Sequence, residues 1–134
     1  MANKTYRGSC LCGSVGYEIQ VESIQASHCH CSMCRKAHGA AYATWGSVPS
    51  EDFRWTQGED LVSANQSSQG LSRYFCSRCG SQLGGANKTV DSFGFTVGTL
   101  EDDAPVEIVN HIFVGSKAPW HEISDGLPQL EEYE

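Results

Sequence analysis

The chain has 134 residues and a modest hydrophobic share of 40%, enough for one domain with a real core. Its net charge is −7 with Lys and Arg scattered, which argues against the clustered cations that nucleic-acid phosphates or anionic membranes require. No apolar run approaches the ~20 residues of a bilayer span, and 14 glycines with seven cysteines mark a chain rich in turns and thiols.

The first residues, MANKTYRGSC, hold no apolar stretch of the kind that opens a secretory signal. A reducing, cytoplasmic setting is therefore expected, and a disulfide scheme would in any case leave one of seven thiols over. Ser14–Val21 places Val15, Tyr17, Ile19 and Val21 on one face at period two, the pattern of a half-buried strand. Ser32–Gly39 is the one helical stretch expected, about two turns, with Gly39 as its stop. Strand character returns in Ala41–Val48, Leu71–Phe75, Phe93–Leu100 and Val106–Val114, with turns at Gly58–Asp60 and Glu101–Pro105. The acidic end, 124–134, is expected as a loose tail that Leu127 and Leu130 can pin down. The reading is one mainly antiparallel β domain over 1–134, its core running from about residue 6 to about 123.

The cysteines fall into three groups: Cys10 and Cys12, then Cys29, Cys31 and Cys34, then Cys76 and Cys79. Two short pairs far apart in sequence make a zinc pattern, because each supplies two thiolates from one tight turn. Gly13 and Gly80 follow these pairs, where a glycine relaxes the turn and frees backbone N–H groups to face sulfur. Cys10, Cys12, Cys76 and Cys79 are expected to form a closed four-sulfur site. The middle group packs three thiols into six residues. Catalytic zinc commonly keeps three protein ligands and an open position, and this group fits that description. Two other readings stand beside it. His28, His30 or His38 would complete a closed site, or Cys31 and Cys34 would form a redox pair. His30 sits between two of the cysteines on an extended segment, so its side chain is expected to point away from them.

GSCLCGSVGYE, HCHCSMCRKAHGAAYATW, RYFCSRCGSQL and HIFVGSKAPWHEI together resemble the glutathione-dependent formaldehyde-activating enzyme family, which shares its domain with centromere protein V. The resemblance runs from about Tyr6 to about Leu130. It implies a β-tent fold, small antiparallel sheets around zinc sites with very little helix. It implies two zinc ions per chain, a structural one on Cys10, Cys12, Cys76 and Cys79 and a catalytic one on Cys29, Cys31 and Cys34. The activity implied is that of a carbon–sulfur lyase joining glutathione to formaldehyde. Glutathione is an anion, so Arg35 and Lys36, directly after the last cysteine of the middle group, are the expected contacts. Arg73 and Lys117 are weaker candidates. Trp45, Trp55 and Trp120 are read as core residues, with pocket lining as the alternative, and His121 as structural, with acid–base work as the alternative. A non-catalytic zinc module that binds a protein partner, and a redox enzyme akin to methionine sulfoxide reductase B, are the competing functions. No nucleic acid or membrane is expected as a partner.

Overall fold

The structure, a computed structural model, describes residues 3–133. Ten strands dominate it: β1 (Lys4–Ser9), β2 (Gly16–Val21), β3 (Ile24–Cys29), β4 (Ala43–Pro49), β5 (Phe53–Gln57), β6 (Val62–Ser68), β7 (Leu71–Cys76), β8 (Gln82–Asn87), β9 (Ser92–Thr96) and β10 (Val106–Ile112). One short helix, α1 (Ser32–His38), lies between β3 and β4. The strands form a three-stranded sheet in the order β1-β2-β5 and a seven-stranded sheet in the order β10-β3-β4-β9-β8-β7-β6. The molecule is mainly β, a β-tent of small sheets.

The alternation read in β2 holds. Tyr17, Ile19 and Val21 point inward with Val15, and all four are buried. Tyr17 stacks on Phe53 of β5 at 5.2 Å between centroids. Phe53 stacks in turn on Phe93 of β9 at 3.9 Å. The two sheets thus share one core, to which β3, β4, β8 and β9 add Ile24, Ala26, Val48, Leu83 and Phe95. Burying such side chains stabilises by roughly 1.5–3 kcal/mol each, so this interface dominates the fold.

Helix α1 forms as the sequence expected. Cys31 caps its first turn by accepting the Cys34 N–H at 3.2 Å, and Gly39 ends it in the left-handed conformation at φ 60°. Two expected strands stop early. β9 ends at Thr96, after which Val97–Thr99 makes a 3-10 turn. β10 ends at Ile112, because Phe113 takes a left-handed φ of 57° that no strand continues through. Strands β6 (VSANQSS) and β8 (QLGGAN) carry no hydrophobic alternation of their own and were not expected. Their ladders to β7 make them strands.

The expectation of antiparallel pairing fails at one place. β10 lies parallel to β3, with Val106 opposite Ile24 and Ile112 opposite Cys29. A parallel neighbour must return by a crossover, and here the whole stretch between residues 29 and 106 intervenes. The segment 124–134 does not hang free through its described part. His111 N–H donates to the Pro128 carbonyl, Leu130 N–H to His111, and Phe113 N–H to Glu132, each within 2.9 Å. His111 and Gln129 form a parallel bridge, and Leu130 packs against the buried cluster of Cys29, Cys34, Ala43 and Ile112. This strap lies outside β10, which lies against β3.

Candidate metal centres

The first centre joins the two sheets. Cys10 and Cys12 sit in the β1–β2 turn of the small sheet, Cys76 at the end of β7 and Cys79 in the β7–β8 turn of the large one. Their four sulfurs lie within 4.8 Å of one another and can hold a metal ion. Cys10 Sγ is 3.6 Å from Cys12 Sγ, which is 3.9 Å from Cys76 Sγ. Gly13 and Gly80 both have φ of 81°, a conformation a side chain would strain. Their N–H groups close the turns on the carbonyls of Cys10 and Cys76, and it is Val15 N–H, not Gly13, that reaches Cys10 Sγ at 3.3 Å. Ser81, then neighbouring backbone N–H groups, pull the Cys79 thiol down to about 5, and Ser14 lowers Cys12. Burial pushes Cys76 up.

The second centre lies where β3 meets α1. Cys29 ends the strand, Cys31 caps the helix and Cys34 sits one turn in, so one chain reversal brings three sulfurs within 4.8 Å. Among the described residues no fourth Cys, His, Asp or Glu atom joins them at that spacing. All seven cysteines are free thiols. The Cys31 thiol is drawn well down by hydrogen bonds from Cys29 and Cys34, then by the Cys34 N–H and the Arg73 charge. Cys29 is pushed up by its contacts with Cys31 and Cys34 and by burial.

Around this group the structure ranks the cations differently from the sequence. Arg73 of β7, a weaker candidate, is only 5% exposed and donates from Nη2 to Cys34 Sγ at 3.5 Å. Its Nε donates to Ser67 Oγ at 3.0 Å, and its guanidinium lies 5.9 Å over the Trp45 ring. Trp45 in turn donates its indole N–H to Cys34 Sγ at 3.4 Å, so this tryptophan lines the centre. Arg35 is half-buried with Nε on the Ser116 carbonyl at 3.1 Å, while Lys36 is exposed. Lys117 Nζ turns to the carbonyls of Ala118 and His121. Trp55 packs in the core, whereas Trp120 is 72% exposed, against the core role expected of it. Trp120 follows Pro119 in a turn outside the strands, and its ring stands in solvent.

Strand alternation sorts the remaining residues onto two faces. Cys29 is paired with Ala43 and Ile112 on one face, and its neighbour His28 with Thr44 and His111 on the other. On that second face His28 Nδ1 bonds Thr44 Oγ1 at 2.8 Å. His30, fully buried, places Nε2 2.8 Å from His111 Nδ1, and His111 Nε2 reaches Asp125 at 2.9 Å. Tyr42 and His121 complete the cluster, their rings 5.1 Å and 5.9 Å from that of His30. Neither His28 nor His30 is available to the sulfurs. His38 is closer: it meets Trp45 edge-on at 5.6 Å, and its buried Nε2 has no hydrogen-bond partner. Burial, then the Arg73 charge, lowers its pKa. Sequence reasoning missed Tyr42, His111 and Asp125. Only the unusual density of histidines around the middle cysteines hinted at a second cluster.

Comparison with known proteins finds relatives of this chain in sequence and in fold. Proteins provisionally named as glutathione-dependent formaldehyde-activating enzymes are similar to this chain. One from Podospora anserina is 34% identical over 76 residues, 55% of this chain and 36% of that protein. Relatives from Aspergillus flavus and Aspergillus oryzae are each 30% identical over 117 residues, 84% of this chain and 54% of theirs. The match therefore spans between about a third and about a half of these curated relatives. A crystal structure of a Rhodobacter sphaeroides protein has the same fold, with a TM-score of 0.62 at 23% identity over 75% of this chain and 99% of that one. The paired and tripled cysteines, both sheets and α1 all fall within residues 5–116 or at their edge, and those residues match the model of the glutathione-dependent formaldehyde-activating enzyme family, to which this chain belongs.

Proposed function

We propose that this protein is a zinc-dependent enzyme of the carbon–sulfur lyase type, which adds a small thiol, glutathione, to formaldehyde or a related small aldehyde. Cys10, Cys12, Cys76 and Cys79 hold a structural zinc, and Cys29, Cys31 and Cys34 a second zinc used in catalysis. One observation carries this reading: three sulfurs gathered within 4.8 Å with no fourth side-chain donor beside them among the described residues. The family membership and the names of the relatives support the choice of thiol and aldehyde.

The residues fit the metal. All-sulfur donor sets suit zinc, and Zn–S bonds of about 2.3 Å in a tetrahedron set sulfur–sulfur edges of about 3.8 Å. The 3.6 Å and 3.9 Å separations in the four-cysteine group bracket that edge. When bound to the middle group, zinc would supply acidity to a thiol entering its open position, keeping it as thiolate at neutral pH.

The chain's own residues do the rest. Arg73 and Trp45 direct two N–H groups at Cys34 Sγ, holding that sulfur in place and offsetting the negative charge of the three thiolates. Arg35 and Lys36, one and two residues after Cys34 on α1, would take the carboxylates of glutathione. With thiolate and aldehyde held side by side, proximity supplies much of the acceleration. A bond forms from sulfur to the carbonyl carbon, the π pair of the carbonyl moves to oxygen, and oxygen takes up the proton the thiol lost. Nothing is oxidised or reduced. Seven free thiols suit a reducing, cytoplasmic compartment.

Cys31→Ala is the direct test, with adduct formation followed by NMR of labelled formaldehyde and glutathione. The expected result is loss of catalysed adduct formation together with one of two bound zinc ions. Turnover at the wild-type rate with the middle group empty would sink the mechanism.

A further inference from the structure

We infer that the C-terminal strap carries a positioning residue, Asp125, which acts through His111 and His30 to hold the Cys29–Cys31 backbone in the shape the middle metal centre needs. This rests on the metal-binding part of the functional reading above. Asp125 lies beyond residue 116, where the family match ends, while His111 and His30 lie within it, so only the last link of the device falls outside that match.

The chain of contacts is continuous. Asp125 accepts from His111 Nε2 at 2.9 Å and 3.1 Å through its two oxygens, and its Oδ1 also accepts the Leu127 N–H at 3.1 Å. That second contact fixes the carboxylate in its own turn. A carboxylate only accepts, so the His111 Nε2 proton must face it. His111 Nδ1 is then turned to His30 Nε2 at 2.8 Å. His111 and His30 are 2% and 0% exposed, so neither ring faces bulk solvent. In neutral imidazoles the carboxylate therefore orders both rings in turn, each with its proton on Nε2. Among the described residues the buried Nδ1 of His30 has no partner, and His111 is the one this ring hydrogen-bonds.

His30 stands between Cys29 and Cys31. A ring locked on one face of the strand fixes the backbone that presents both sulfurs on the other. The backbone contacts run the same way. His30 N–H donates to the Ile112 carbonyl at 2.9 Å, and the strap binds His111 of β10 and the two residues just after the strand, Phe113 and Val114. Strap, β10 and β3 thus lie side by side, and the contacts Asp125–His111–His30 link the strap to the residue that follows Cys29.

The test uses the full-length zinc-loaded protein, with Asp125→Asn and Asp125→Glu beside wild type. Asparagine keeps the size but can donate as well as accept, so it releases the proton order of the two rings. Imidazole ¹⁵N shifts at neutral pH read that order directly. Competition titration with cobalt(II) reads the affinity of each centre separately. Asp125→Asn should alter the His111 and His30 signals and weaken cobalt binding at the middle group by about three- to tenfold, the size typical of coupling through packed networks. The four-cysteine centre should keep its affinity, and Asp125→Glu should recover part of the loss. Unchanged middle-group affinity in Asp125→Asn overturns the inference, as does an equal loss at both centres, which would mark a merely structural role. Wild type that binds cobalt at the middle group yet makes no adduct refutes the proposed activity while leaving the strap's effect measurable. Wild type that takes no cobalt there overturns both.

Discussion

Arg73→Met should weaken metal binding at the middle cysteines by about ten- to a hundredfold without unfolding the protein. Methionine keeps most of the buried stem, so the change chiefly removes the cation and its two donated hydrogen bonds, to Ser67 and Cys34. A unit charge 3.5 Å from a thiolate is worth about 5 kcal/mol at an effective dielectric of about 20. Desolvation of the guanidinium offsets part of that, and measured hydrogen bonds to charged groups retain about 1.5–3 kcal/mol. At 1.4 kcal/mol per tenfold, the expected loss is one to two powers of ten. Arg73 is 5% exposed, so solvent screening does little to reduce it. Cobalt(II) competition against a chromophoric chelator measures it, with the four-cysteine centre as internal control. Arg73→Lys should fall between, since an ammonium cannot span Ser67 and Cys34 as the planar fork does. Middle-site affinity within twofold of wild type would refute the claim that Arg73 neutralises this centre.

Three further outcomes follow from the same geometry. Tyr17 is fully buried with its hydroxyl on Thr99 at 2.6 Å, and burial pushes its pKa up to about 12. A raised folded-state pKa leaves stability intact below about pH 10 and removes it as pH climbs towards 12. Urea unfolding of wild type should therefore weaken over that window by up to about 2.7 kcal/mol more than Tyr17→Phe does. Gly80→Ala puts a side chain at φ 81° with no atom near it, so the cost is backbone strain alone, about 1–2 kcal/mol, read from thermal unfolding. Cys79→Ser cuts the link between the two sheets. It should release one metal and cost several kcal/mol of the roughly 10–16 kcal/mol a structural zinc supplies. Against a total stability of about 5–15 kcal/mol that is enough to unfold the chain at moderate temperature. Metal analysis and calorimetry read both effects.

The features legible in the sequence are those whose causes are local. Three sulfurs within six residues come together through one turn and one short helix, so spacing alone foretold the middle group. The same holds for α1 and its Gly39 stop, and for the inward face of β2. The two distant cysteine pairs were legible for a different reason, because only a shared metal gives purpose to paired thiols in a chain that keeps all seven free. Strands β6 and β8 were not legible, since polar and glycine-rich stretches become strands only through the neighbours that pair with them.

What the sequence determined by itself is thus the grouping of the thiols: which cysteines come together, four in one set and three in the other. Tertiary structure alone decided what surrounds the set of three. Arg73 stands 39 positions from Cys34, and Asp125 stands 95 from His30. Nothing in a local pattern records contacts at such separations. They exist because β10 returns parallel to β3, because β7 lays a buried arginine beside the helix, and because the strap closes over β10. Charge compensation and hydrogen-bond order act over a few ångströms in space, and only the fold converts sequence separation into that distance.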